Sequence, residues 1–253
     1  MSASDETKRA GMSIDGAVDL GEPASRVNPR MIFAPDRSSL YVAVPKTGCT
    51  TIKTIVAAAV GMIDGEALER RTRGGIHDAW RDRDANWSDL AEAERQSLLT
   101  GPATFRFTSV RNPFERLVSC YLNKIVNHGE GNHLGRRMRG LGVDSLASFL
   151  EVVARQPPLA RDVHCRAMTD LTFAGALRYD DVVRYETFEA DVGRIMARLG
   201  IAGLAIPRPA RRNRTDAGSR LRELLGPRES DLIRDIYRRD FETFDYAMDL
   251  PTA

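Results

Sequence analysis

Apolar residues fall in two rhythms along this chain: short unbroken runs that suit strands, and spaced positions that suit helices. Leu40-Tyr41-Val42-Ala43-Val44 is a run rich in β-formers, as a strand buried on both faces should be. Met31-Ile32-Phe33, followed by Pro35-Asp36, reads as a short edge element and a turn leading into it. Thr104–Val110 alternates and is rich in β-formers, and Arg178–Tyr185 reads as a further strand. Helical spacing lies between and after these runs. The segment from Thr50 stops at Gly61, and Ser88–Leu99 ends at Gly101-Pro102. Leu117, Val118, Tyr121, Leu122 and Ile125 make one apolar face. Asp144-Ser145 opens a helix through about Ala154, and Phe188–Leu199 turns Val192, Ile195, Met196 and Leu199 inward. Ser219–Leu225 and Glu229–Phe244 close the chain as two helices. Strands alternating with helices predict an α/β fold with a central, mainly parallel sheet flanked by helices.

Two stretches lack such rhythm. Residues 1–28, rich in Ser, Asp, Glu, Gly and Ala, read as a flexible tail ahead of a single domain over 29–253. Lys124 to Gly142 is polar, bears several glycines and carries Arg136-Arg137-Met138-Arg139, and it reads as a long substrate-selecting loop. Residues 62–103 are also polar, with Gly74-Gly75 and an arginine/aspartate alternation from Arg70 to Asp84.

The chemistry concentrates where strands turn into helices. Pro45-Lys46-Thr47-Gly48-Cys49-Thr50-Thr51 joins the first apolar run to its helix. Helix N–H groups, threonine hydroxyls and one lysine can cradle a phosphate. The same residues can also be an ordinary turn whose threonines cap a helix. A Walker A loop places its lysine last, after a second glycine, and this loop places it first.

A second junction follows the second strand. Asn112 suits the N-cap, Pro113 the first helical position, and Glu115 the third, where it can reach back to close a capping box. Arg111 then stands at the strand's end. Ser119 lies two turns along the helix, roughly 9 Å in rise from its start, so a guanidinium and a hydroxyl can reach one phosphate from two sides.

The bulk numbers narrow the classes. The chain has 253 residues, 42% hydrophobic and 28% charged, ordinary for a globular protein. Its net charge of +2, from 37 basic and 35 acidic residues, is small for a general nucleic-acid binder. The most basic stretch, Arg208–Arg214, carries no aromatics for base stacking. It fits a loop closing over a phosphorylated nucleotide, with Arg212 and Asn213 as contacts; it also fits a solvated charge run. No run of about 18 apolar residues indicates a membrane span, and the N-terminus lacks a signal-peptide core. Cys49, Cys120 and Cys165 are odd in number and widely spaced, which predicts reduced thiols, no zinc site and a cytoplasmic location. Peripheral membrane association and the oligomeric state stay open.

Taken together, Pro-Lys-Thr-Gly-Cys-Thr-Thr and Arg-Asn-Pro-Phe-Glu-Arg-Leu-Val-Ser resemble the chondroitin-type carbohydrate sulfotransferases of the Golgi and their bacterial relatives. Asp162-Val-His164, the segment Tyr179–Glu186 and the segment Leu232–Tyr246 look like later parts of the same family, so the resemblance covers roughly residues 32–246. It implies a P-loop-NTPase-like three-layer fold and a sulfuryl donor, 3′-phosphoadenosine 5′-phosphosulfate (PAPS). It implies that Pro45, Lys46, Thr47, Gly48, Cys49, Thr50 and Thr51 hold the 5′-phosphosulfate, and that Arg111 and Ser119 hold the 3′-phosphate. Lys46 then stabilises the leaving group, and a glycan or other hydroxyl-bearing molecule accepts the sulfuryl group without a metal. For the base, the family position points to His77, with Asp78 beside it and His164 as the rival. This sequence departs from the Golgi members in showing neither their membrane anchor nor their lumenal cysteine pattern. Two other classes remain: a P-loop-like nucleotide kinase or NTPase, and a non-catalytic nucleotide- or polyanion-binding module.

Overall fold

Alternation along adjacent strands decides what lies on each face of the central sheet. The computed structural model describes residues 11–12, 17–63, 75–83, 85–127, 131–205 and 217–251. Among them the strands are β1 (Gly11–Met12), β2 (Val18–Asp19), β3 (Met31–Phe33), β4 (Ser39–Val42), β5 (Phe105–Val110) and β6 (Asp181–Arg184). The helices are α1 (Ala24–Val27), α2 (Cys49–Ala59), α3 (Ile76–Arg81), α4 (Glu92–Thr100), α5 (Pro113–Tyr121), α6 (His133–Gly140), α7 (Leu146–Arg155), α8 (Met168–Leu171), α9 (Phe188–Arg198), α10 (Ala217–Leu224) and α11 (Pro227–Thr243). β1 and β2 form a small antiparallel ribbon. The central sheet has the order β3-β4-β5-β6. Met31 pairs antiparallel with Val42, and Tyr41 pairs parallel with Phe107, so the sheet is mixed and mainly parallel as expected.

The chain forms two compact units. The first takes the described residues within Met1–Val44, Gly48–Ser109 and Asp170–Arg208; the second takes those within Pro45–Thr47, Val110–Thr169 and Pro209–Ala253. In the first, Met31, Phe33, Leu40 and Val42 point to one side of the sheet, against Trp87, Leu98 and Phe173. Ile32, Tyr41 and Phe107 point to the other, against Ile52 and Val56 of α2, Trp80 of α3 and Ile195 of α9. Both faces are covered, which makes three layers. The unbroken apolar run of β4 is explained by this: every residue of it is buried. The second unit is helical. Phe114 and Leu117 of α5, Met138 of α6, Phe149 of α7, and Ile233 and Phe241 of α11 form its core.

Several expectations are corrected. The tail does not extend to residue 28. Val18, Leu20 and Val27 are buried in the first core, and the Gln96 side chain pairs with both backbone groups of Val18 at 2.9 Å. Three apolar anchors without period were enough to dock this segment.

The expected loop over 124–142 is largely helical where described. Leu122–Asn127 continues α5 as π-helix, and α6 is N-capped by Asn132, whose side chain accepts from Gly135 N at 3.0 Å. Leu134 and Met138, one turn apart on α6, are buried and were the readable signal.

The helix expected from Ser88 starts at Glu92 instead. Asn86 N donates to Asp89 Oδ2 at 2.9 Å, closing a 3₁₀ turn over Trp87–Asp89 first. In the polar 70–84 stretch, Ile76 and Trp80 anchor α3, and Trp80 Nε1 donates to Lys53 O at 3.0 Å.

Candidate active site

β4 delivers the chain into Pro45-Lys46-Thr47-Gly48, and α2 begins at Cys49. Two residues of this loop have left-handed backbone, Lys46 at φ 72° and Gly48 at φ 83°. At Gly48 the conformation suits glycine, and a Cβ there would overlap the Phe188 ring of α9. Gly48 is also the N-cap of α2 and supplies no side-chain capping bond. The N–H groups of the first helical turn thus have no oxygen offered by their N-cap side chain. A lysine at φ 72° is strained, and such residues cluster at functional sites.

In the first unit, His77 on α3 faces the opening of α2. Its Nε2 lies 3.2 Å from Thr50 Oγ1, and both groups are solvent-accessible. Thr50 and His77, chosen separately from sequence, are brought together. Lys53, deeper in α2, donates to Pro29 O at 3.0 Å, and burial lowers its pKa from the ordinary lysine value.

The second unit holds the other motif. Asn112 caps α5 by accepting from Phe114 N at 3.0 Å, with Pro113 at the first position as expected. Glu115 does not close the expected capping box. Its Oε2 accepts from Arg111 Nη2 at 2.8 Å and Nε at 3.2 Å, because a charged fork competes better for a carboxylate than a neutral backbone N–H does. Arg111 Nη1 also donates to Lys46 O at 3.5 Å. The arginine of one motif therefore contacts the lysine of the other. Ser119 lies on the same helix, as its spacing predicts, and is buried.

Arg116 was not anticipated. It is 2% exposed, and its guanidinium donates to Pro45 O at 3.1 Å, Arg166 O at 2.9 Å and Val163 O at 3.4 Å. The available signal was its place among Phe114, Leu117 and Val118 on a helix that buries nearly every position. Beside it, Asp162 Oδ1 accepts from the His164 backbone at 2.9 Å and pairs with His164 Nδ1 at 2.7 Å. Burial lowers the imidazole pKa against the pull of Asp162, and the Lys124 and Lys46 charges add to the lowering. Burial pushes the Asp162 carboxyl up, but the hydrogen bonds and charge of His164 outweigh it and hold the group below the ordinary aspartate value. Cys120 and Cys165 are free, with sulfurs 3.8 Å apart.

Arg212 and Asn213 lie outside the described residues, as do Gly74 and His128. His133 is exposed on α6. Among the described residues, no group of three or more His, Cys, Asp or Glu could hold a metal ion, and no helix is long and apolar enough to cross a membrane.

Comparison with known proteins decides the family. The model of the sulfotransferase family matches residues 29–247, a span that takes in both junctions. The chain belongs to the sulfotransferase family. It is similar to carbohydrate sulfotransferase 11 of Rattus norvegicus, 24% identical over 242 residues, covering 86% of this chain and 67% of that protein. It is similar to carbohydrate sulfotransferase 10 of Danio rerio, 27% identical over 248 residues, with 85% and 66% covered. Carbohydrate sulfotransferase 14 of Homo sapiens is 27% identical over 192 residues, with 70% and 49% covered. The chain thus spans about two thirds of the length of the first two relatives and about half of the third. No solved structure matches it. Family membership makes sulfuryl transfer the relevant chemistry and disfavours the kinase and non-catalytic readings.

Proposed function

We propose that this sulfotransferase takes its sulfuryl group from PAPS and passes it to a hydroxyl of a carbohydrate. The observation carrying the reading is the hydrogen bond from Arg111 to the carbonyl of Lys46, which links the arginine of one motif to the lysine of the other, both in the second unit. The residues fit an anionic donor. Residues 45–51 offer a lysine, three threonine hydroxyls and a helix start whose N-cap side chain satisfies no N–H, and Arg111 and Ser119 add a fork and a hydroxyl.

In this reading PAPS supplies the sulfuryl group and departs as adenosine 3′,5′-bisphosphate. Lys46 stabilises the charge that develops on the phosphate oxygen as its bond to sulfur breaks, and one such donor is worth roughly 2.7–4 kcal/mol. Thr47, Gly48, Cys49, Thr50 and Thr51 hold the 5′ end. Arg111 and Ser119 hold the 3′-phosphate, and Arg212 and Asn213 are assigned to the nucleotide from sequence. His77 takes the proton of the attacking hydroxyl on Nε2, the nitrogen now 3.2 Å from Thr50 Oγ1. The carbohydrate acceptor is supported by the names of the relatives, all carbohydrate sulfotransferases.

Thermal shift tests the donor. Adenosine 3′,5′-bisphosphate should stabilise the protein strongly and ATP and AMP weakly, and an equal response to ATP overturns the reading. Screening glycans with labelled PAPS then identifies the acceptor.

A further inference from the structure

We propose that Arg116 is the positioning residue of the lysine loop, acting on sulfuryl transfer through Lys46. The proposal rests on the leaving-group role given to Lys46 above. Arg116 directs its whole fork at main-chain carbonyls: Pro45 O at 3.1 Å on one side, and Arg166 O at 2.9 Å and Val163 O at 3.4 Å on the other. These acceptors belong to two loops far apart in sequence, and one rigid side chain fastens them together. A lysine ammonium, a point donor on a flexible stem, lacks the geometry to do this.

The consequence falls on the next residue. Lys46 sits at φ 72°, a conformation that costs an L-residue about 1–2 kcal/mol. Strain of this kind persists only when the surroundings over-determine it. The peptide plane before Lys46 is held through Pro45 O by Arg116, and the plane after it through Lys46 O by Arg111 at 3.5 Å. With both planes fixed, the Cα–Cβ vector from which the lysine side chain departs is fixed too. Arg116 reaches the loop from a helix whose neighbouring positions, Phe114, Leu117 and Val118, are apolar and buried. An apolar side chain there would leave the carbonyls of Pro45, Val163 and Arg166 without this donor, so the fork holds the Pro45 peptide to the 163–166 segment.

The test uses the full chain and four variants: Arg116→Lys, Arg116→Gln, Lys46→Ala, and Lys46→Ala with Arg116→Lys. Two readouts are taken, affinity for adenosine 3′,5′-bisphosphate by calorimetry and turnover of PAPS with water as acceptor. Both Arg116 variants should lose turnover on the order of 100-fold, the scale of a misplaced catalytic group, with bisphosphate affinity changed by less than about tenfold. In the Lys46→Ala background, Arg116→Lys should change turnover by less than about threefold, because the two residues act as a unit. Wild-type turnover in the single variants overturns the proposal. So does a full second loss in the double variant, or failure of both Arg116 variants to fold, since each makes Arg116 a general support of the core. A wild-type protein that neither binds the bisphosphate nor turns over PAPS overturns the donor reading itself, and the positioning role with it.

Discussion

Arg111 and Glu115 form an ion pair across the first turn of α5, with Nη2 and Oε2 2.8 Å apart and side chains only 8% and 18% exposed. The two charges differ in how the helix treats them. Glu115 lies in the first turn, where the positive end of the helix favours a carboxylate, whereas Arg111 brings a cation to that same end. Glu115→Ala therefore leaves an uncompensated arginine in an unfavourable field and should destabilise by about 2 kcal/mol. Arg111→Ala leaves a carboxylate the helix itself supports and should cost about 1 kcal/mol. The double variant should cost less than the sum. Urea unfolding at constant m-value checks the order.

Arg111 should also decide which nucleotide is preferred. Its guanidinium meets Lys46 O through Nη1, while Nε and Nη2 are engaged by Glu115, so the fork is aimed before a ligand arrives. If it takes a 3′-phosphate, Arg111→Ala will weaken adenosine 3′,5′-bisphosphate far more than AMP, by on the order of 2–3 kcal/mol for a lost charged hydrogen-bond partner. Calorimetry with both ligands gives the comparison. Parallel weakening would remove the 3′-phosphate assignment.

The sheet and most helices were legible because they obey single-period patterns. The β4 run and the Leu117–Ile125 face report burial directly, and the caps Asn112 and Ser145 follow from local chemistry. The π-helical segment and α6 were not, since polar residues and glycines masked the lone pair Leu134 and Met138. In the candidate site, the lysine loop and the junction that carries Arg111 and Ser119 follow from motif order, whereas the 3.2 Å approach of His77 to Thr50 appears only in the fold. Arg116 was likewise not legible: its acceptors are carbonyls of Pro45, Val163 and Arg166, and main-chain partners distant in sequence leave no residue-type signature. The turn of Glu115 from the expected capping box to Arg111 is a competition of partners that spacing alone cannot rank.

Gly48 is the position where the loop tolerates least. Its φ of 83° disfavours any Cβ, and an added methyl would meet the Phe188 ring. Gly48→Ala combines a left-handed backbone penalty of about 1 kcal/mol with overpacking of about 1–3 kcal/mol. Measured against Phe188→Ala alone, Gly48→Ala should cost only the backbone part, because the ring is gone. Melting temperatures of the wild type, both single variants and the double variant separate the two; an equal drop from Gly48→Ala with and without the ring would mean the ring is not what excludes the methyl.

The pH dependence of stability should carry the mark of His164. Its ring faces Asp162, which pulls the proton on, and feels Lys124 and Lys46, which push it off; with burial as the largest cause, the net direction is down. The unfolded chain then gains a proton near the ordinary imidazole value of about 6.5 while the folded protein still lacks one. Stability falls as pH drops through that window and stops falling once the folded imidazole is also protonated. Asp162, held below the ordinary aspartate value, adds a second loss below about pH 3.9. The buried Asp240 carboxylate accepts from Met168 N, Thr169 N and Thr169 Oγ1, but burial raises its pKa, so its contribution grows as pH falls and opposes the first two. A difference measurement removes that background. His164→Gln cannot take up the proton, so between pH 7.5 and 5.5 its melting temperature should fall less than that of the wild type, by about 2–4 °C for each kcal/mol involved. Identical slopes for the two proteins would show that the imidazole titrates alike folded and unfolded.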